Sequence, residues 1–245
     1  PAGEQPKPMA VAGLGVPWVV MDVFAWSLVA AFGGSALLAS RNPELARKLG
    51  GLTWAAFGVF WIVLAPHFLF TKHSVIEGLL AVLALPACLY AGKQLYDGRD
   101  SLFLFSRAIA AMGLIYLPFL SMPVLKGALI ETVTSQVEVI LTSLGHPPEV
   151  VTDDKGFRST FYYEHAGHAY TMQVLLACTG LGSMAIFGGL IAALDAPLDR
   201  KLAAVAIVVP VVWVLNLGRV TFITLAHGRQ WFRGVLEGPI MTLFA

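Results

Sequence analysis

Apolar runs of about twenty residues alternate with short polar connections along most of this chain. The first run covers Pro17–Leu38 and ends at the polar stretch Ser40–Gly50. A second covers Gly51–Phe70, and the link Thr71–His73 leads to a third, Ser74–Gly92. The fourth, Leu102–Met122, follows Lys93–Ser101; the fifth is read as Thr171–Leu194 and the sixth as Leu202–Ala226. About 20 apolar residues cross a hydrocarbon core of roughly 30 Å as a helix, so each run predicts a transmembrane span. Beyond a polar turn, Pro239–Ala245 reads as the start of a further apolar helix that stops short, as if the chain were truncated there.

The connection Pro123–Tyr170 has a different pattern. Leu125, Leu129, Val133, Val137, Ile140 and Leu144 recur every three or four residues, and Glu131 and Glu138 lie off that stripe. This predicts an amphipathic helix in the outer interface, with a poor membrane span as the alternative. Glu149–Thr152 and Phe157–Tyr163 are β-prone and flank Asp153-Asp154-Lys155-Gly156, which predicts a small hairpin. The expected fold is an all-α polytopic membrane protein. It has six or more transmembrane helices, with an extracytoplasmic amphipathic helix and a small β-hairpin between spans four and five. Pro1–Pro8 is polar and proline-rich ahead of Met9 and reads as a non-native extension. Residues 9–245 then form a single integral membrane domain with an insertion at about 123–170, and neither a repeat nor a soluble second domain is evident.

Composition agrees. Of 245 residues, 57% are hydrophobic and 13% charged, with a mean hydropathy of +0.75, whereas soluble domains are about a quarter charged. Sixteen basic against 15 acidic residues give a net charge of +1, which leaves no basic patch for nucleic acid. The chain has no GxGxxG, P-loop or HExxH, and Cys88 and Cys178 form no CxxC, so neither a cofactor nor a metal is expected. Arg41, Arg47, Lys48, Lys93, Arg99, Arg200 and Lys201 follow spans one, three and five; only Lys72, Arg229 and Arg233 follow spans two and six. This bias places the first set in the cytoplasm and the long connection outside, in the cell membrane.

Polar groups inside spans are costly and mark candidate sites. Arg219 sits well inside the sixth span, where an arginine near the centre costs about 2.5–3.5 kcal/mol. Snorkelling or a structural ion pair is the plain alternative. Cys178 lies near the outer start of the fifth span, and on its own a helical cysteine is a small packing residue. Both residues lie about seven positions inward from the outer ends of their spans. At 1.5 Å per residue that is a common depth of about 10 Å. Adjacent antiparallel helices, brought close by Gly180, Gly182 and Ser183, could therefore join thiol and guanidinium. A cation favours the nucleophilic thiolate and can hydrogen-bond the oxyanion formed when it attacks a carbonyl. His165, His168, His227 and Arg229 are available near the outer face as proton donors. Asp22 and Glu77 could balance Arg219, Arg107 is expected to snorkel at the cytoplasmic end of span four, and Cys88 is read as packing.

With Leu176-Ala177-Cys178-Thr179-Gly180-Leu181-Gly182-Ser183-Met184-Ala185-Ile186-Phe187 beside Asn216-Leu217-Gly218-Arg219, the chain resembles the exosortase/archaeosortase family, on its archaeosortase side. The resemblance is strongest from about Tyr170 to Phe232. It implies a membrane-embedded cysteine transpeptidase, analogous to sortases in chemistry and not in fold. Cys178 would cleave the C-terminal sorting signal of an exported surface protein, a Pro-Gly-Phe motif before a transmembrane helix and a basic tail. The thioester would then pass to an amine-bearing membrane lipid. Arg219 matches the family arginine that orients the carbonyl and stabilises the oxyanion, and Asn216, Thr179 and Gly180 are expected to contact substrate. The family's third basic residue, on the following helix, is expected beyond Ala245; His227 comes too early for it by motif but could reach the outer mouth.

Two readings from other classes compete. A small-molecule transporter would show paired repeats and a midplane polar site, while these polar residues gather near one face. A non-enzymatic membrane receptor or chaperone is opposed only by the Cys178/Arg219 pairing.

Overall fold

The computed structural model describes residues 17–71, 74–152, 156–165 and 168–228. In chain order these form α1 (Trp18–Leu38), α2 (Pro43–Pro66, running into a π-turn at His67–Thr71), α3 (Val75–Tyr96), α4 (Leu102–Ser121) and α5 (Pro123–Ser143). Three strands follow, β1 (Glu149–Thr152), β2 (Arg158–His165) and β3 (His168–Gln173), then a 3-10 turn at Leu176–Thr179, α6 (Leu181–Ala193) and α7 (Leu198–Gly228). Among the described residues, the segments Trp18–Leu38, Pro43–Thr71, Val75–Tyr96, Leu102–Ser121 and Leu198–Ala226 are long and apolar enough to cross a membrane.

The chain divides into two compact units. The first comprises the described residues up to Leu117 with Gly189–Asp195. Its core gathers Phe32, Trp54, Cys88, Leu95 and Phe103, so Cys88 is a packing residue with a free thiol. α2 begins at Pro43, earlier than the sequence pattern suggests, because Asn42 caps it: the Asn42 side chain accepts the Leu45 amide at 3.1 Å, and Pro43 opens the first turn. Arg47 and Lys48 are therefore helical, not in a connection. α2 and α3 meet at Gly51 and Gly92, where a Cβ on Gly92 would stand 2.7 Å from the Gly51 carbonyl oxygen. Inside the apolar core, Trp54 Nε1 donates to Ser106 Oγ at 3.1 Å. Two arginines are held by carboxylates through paired hydrogen bonds. Arg47 grips Asp100 at 2.8 and 2.7 Å, and Arg107 grips Asp195 at 2.6 and 3.2 Å. Arg107 is thus half of an ion pair and not a lone snorkelling side chain.

The second unit comprises Pro118–Gly188 and the described residues from Ala196 onward. The amphipathic helix expected from the sequence is α5, but its buried stripe is Ile130, Val133, Val137 and Leu141. Leu125 and Leu144, at the ends of the expected stripe, are exposed. The reason is the ideal repeat of 3.6 residues per turn, which drifts off a spacing of four within a few turns. The stripe packs on Phe161 of β2, Val174 and Val220 of α7. Arg158 fixes β2 to α5: its amide donates to Glu131 at 3.2 Å, and its guanidinium to Glu138 at 3.1 Å. The sheet is antiparallel in the order β1-β2-β3. β1 and β2 match the expected hairpin, with Val150 opposite Phe161 and a register shift after Val151.

β3 overturns the expected fifth span. Thr171–Gln173 are strand, with Met172 opposite Phe161 and Gln173 opposite Thr160, and the pairing extends to a Val174 amide bond to the Ser159 carbonyl at 2.7 Å. Only the 13 residues of α6 are regular helix, about 20 Å long at 1.5 Å per residue and short of the roughly 30 Å core. An apolar run reads alike as strand and as helix when its cross-strand partner is unknown. The pattern of six long spans is therefore five long helices and one short one among the described residues.

Two outcomes follow. Gly92→Ala forces a Cβ against the Gly51 carbonyl, so overpacking of about 1–3 kcal/mol lowers the thermal midpoint of the detergent-solubilised protein; an unchanged midpoint would refute this close approach. The hydrogen bond and charge of Arg47 hold the Asp100 carboxyl below its ordinary 3.8. A lowered folded pKa stabilises above the unfolded value and is lost as pH falls through the folded one. The Asp100→Asn variant should melt below wild type at neutral pH, and the gap should narrow as pH falls below 3.8. A gap independent of pH would contradict the pair.

Candidate active site

Cys178 lies on the turn that converts β3 into α6. After Val174 the chain tightens into the 3-10 turn Leu176–Thr179. The Cys178 amide donates to the Leu175 carbonyl at 2.8 Å, and the fully buried Thr179 hydroxyl donates to the Leu176 carbonyl at 2.7 Å. Gly180 then takes the left-handed conformation, φ +75 and ψ 0, and α6 starts at the next residue. That conformation costs glycine little and side-chain-bearing residues more. Its carbonyl accepts the Met184 amide at 3.0 Å, which begins the helical ladder. The depth count of seven helical residues to Cys178 does not apply, because strand and 3-10 turn replace helix there. The thiol is half-buried against the cluster of Val133, Val137, Phe161 and Val220.

α7 presents one face to this turn. Trp213, Asn216, Leu217, Val220 and Thr224 recur at three- and four-residue spacing, so they share a side of the helix. Trp213 Nε1 donates to Gln136 of α5 at 2.9 Å. Asn216 Nδ2 donates to the Cys178 carbonyl at 2.7 Å. Thr224 donates to the Val220 carbonyl at 2.7 Å, with its Oγ1 3.1 Å from Met172 Sδ of β3. α7 thereby seats on α5, the cysteine turn and β3 together.

Arg219 lies three residues beyond Asn216, about 60° around α7 from it and at the edge of the face that meets the turn, and is exposed. Among the described residues it has no carboxylate partner. Asp22 and Glu77 belong to the first unit, and neither forms an ion pair among the described residues. The Thr179 hydroxyl and the Asn216 amide are engaged in building the turn, and Gly180 supplies its left-handed corner. His227 is on the last turn of α7 and His165 and His168 are on strands; their side chains lie outside the described residues, as do Arg229, the segment Pro239–Ala245 and residues 1–8. Sequence reading missed the Trp213–Gln136 bond. Its only signal is a tryptophan one turn before Asn216, on the face that also holds Val220.

The chain matches the family described as transmembrane exosortase over residues 18–244. Archaeosortase A of Haloferax volcanii is 45% identical over 227 residues, covering 89% of this chain and 75% of that protein. Archaeosortase A of Natronomonas pharaonis is 46% identical over 230 residues, covering 91% of this chain and 72% of that protein. No solved structure matches the chain. The match spans both the β3–α6 turn that carries Cys178 and the α7 face that binds it, and with five helices of membrane-spanning length it establishes a multi-pass membrane protein: this chain belongs to the transmembrane exosortase family.

Proposed function

We propose that this membrane-embedded, sortase-like processing enzyme cleaves the C-terminal sorting signal of exported surface proteins through a Cys178 thioester. The signal is of the Pro-Gly-Phe type, set before a transmembrane helix and a basic tail. The observation that carries this reading is the 2.7 Å hydrogen bond from Asn216 to the Cys178 carbonyl, which brings the cysteine turn onto the stretch of α7 that bears Arg219. Similarity to the two Archaeosortase A proteins supports the reaction class.

The chemistry follows from those two side chains. The deprotonated Cys178 sulfur attacks the carbonyl carbon at the scissile amide. A C–S bond forms and the carbonyl electrons move to oxygen. Arg219 donates hydrogen bonds to that oxyanion, a stabilisation that acts mainly in the transition state. Collapse re-forms the carbonyl and breaks the C–N bond. The departing nitrogen takes up a proton and leaves with the signal's transmembrane tail, and the surface protein remains as a thioester on Cys178. An amine on a membrane lipid then attacks the thioester carbonyl, loses a proton to form the new amide, and releases the Cys178 sulfur. The site faces the extracytoplasmic side of the cell membrane, where the exported protein and the lipid amine meet.

The test follows processing of a substrate bearing a Pro-Gly-Phe signal by the full-length protein in membranes. Cys178→Ser should abolish processing, and Arg219→Ala should slow it by about 10²–10³, the usual loss for one oxyanion donor. Both variants should reach wild-type levels in the membrane. Full processing by Cys178→Ser would overturn the nucleophile assignment.

A further inference from the structure

We infer that Asn216 is a positioning residue, which acts on the reaction through the main chain of Cys178 and not by touching substrate. This rests on the reading of Cys178 as nucleophile. The 3-10 turn that carries the thiol has only four residues, and such turns have poorer hydrogen-bond geometry than α-helix. An external restraint on its carbonyls therefore matters more than it would inside a long helix. Asn216 supplies one across 38 positions of sequence, with Nδ2 2.7 Å from the Cys178 oxygen. The carbonyl and the thiol-bearing Cβ share one Cα. Holding the carbonyl restrains rotation about the Cα–C bond and so restrains how the thiol-bearing Cα–Cβ bond is set relative to α7.

A second contact locks the same pair of segments. Gly180 stands so close to Asn216 that an added Cβ would lie 3.0 Å from both Asn216 Cβ and Cγ, and the Gly180 backbone is left-handed. The turn meets Asn216 at two places, a bound carbonyl at 178 and a bare Cα at 180. Asparagine suits both demands: its short side chain fits against Gly180, and its amide is a donor. An ionised aspartate has the same shape but only acceptors, so it would set a charged oxygen against the Cys178 carbonyl. Small misplacements of reacting groups, of about 1 Å, lower rates by about 10²-fold, which gives a hydrogen bond to the main chain a large kinetic consequence.

The experiment uses the full-length protein in membranes, in a Cys88→Ala background, with labelling read on the peptide that contains Cys178. Processing of the Pro-Gly-Phe substrate gives kcat and KM, and maleimide labelling without substrate gives the accessibility of Cys178. For Asn216→Asp, which keeps the volume against Gly180, kcat should fall at least tenfold with KM within twofold. Cys178 should be labelled no more slowly than in the parent, because the thiol is still reachable but no longer aimed. Asn216→Ala should behave alike. Parental kcat in Asn216→Asp would overturn the inference, as would a loss confined to KM, which would make Asn216 a substrate contact. Labelling slowed in parallel with kcat would also overturn it, by showing a residue needed for the fold of the turn. Failure of the nucleophile reading shows separately, as processing that survives Cys178→Ser with Asn216 intact.

Discussion

A polar side chain on an apolar helix must find a partner, and Asn216 finds the main-chain oxygen of Cys178. The arrangement of the second unit depends on that constraint. An amide left unpaired away from water costs about 1–3 kcal/mol, so helix α7 is most stable where Asn216 reaches the turn. Trp213 and Thr224 extend the same contact along the helix, to Gln136 of α5 and Met172 of β3. Valines and Phe161 fill the space between them. The packing that satisfies α7's polar groups is the packing that gathers the cysteine and the arginine-bearing stretch. Under the proposed mechanism, stability and chemistry have one structural cause here.

The first unit solves its polar problem differently. Two of its arginines meet carboxylates, Arg47 with Asp100 and Arg107 with Asp195, and within the aromatic core the Trp54 indole donates to the Ser106 hydroxyl. Arg219 of the second unit has no such neighbour among the described residues. An arginine kept free of carboxylates retains its donors for a charge that develops during reaction, whereas a paired one serves the fold.

Much of this was legible in the residues. The long apolar runs placed α1, α3, α4 and α7 within a few positions, because uninterrupted apolarity over that length has few other structural outcomes. The hairpin was legible from β-prone segments flanking a polar turn. Cys178 and Arg219 stood out through the cost of polar groups in apolar spans and through their motif. What was hidden depended on partners remote in sequence. β3 is strand because β2 pairs with it, and Thr171 to Gln173 run without a Gly, Pro or charged break into the apolar stretch that starts at Val174. The role of Gly180 was readable only as closeness between helices, while its φ of +75 shows a corner. Asn216 was visible as a motif residue, but its target, a carbonyl 38 positions away, follows only from the fold.

The most direct test of the account is to look for the acyl group on Cys178. Full-length protein in membranes would be mixed with the Pro-Gly-Phe substrate, quenched in acid during turnover, digested and analysed by mass spectrometry. The account predicts a peptide containing Cys178 that carries the new C-terminal residue of the substrate as a thioester, released by hydroxylamine and absent from Cys178→Ser. Substrate cleaved while Cys178 stays unmodified under conditions that preserve thioesters would contradict it.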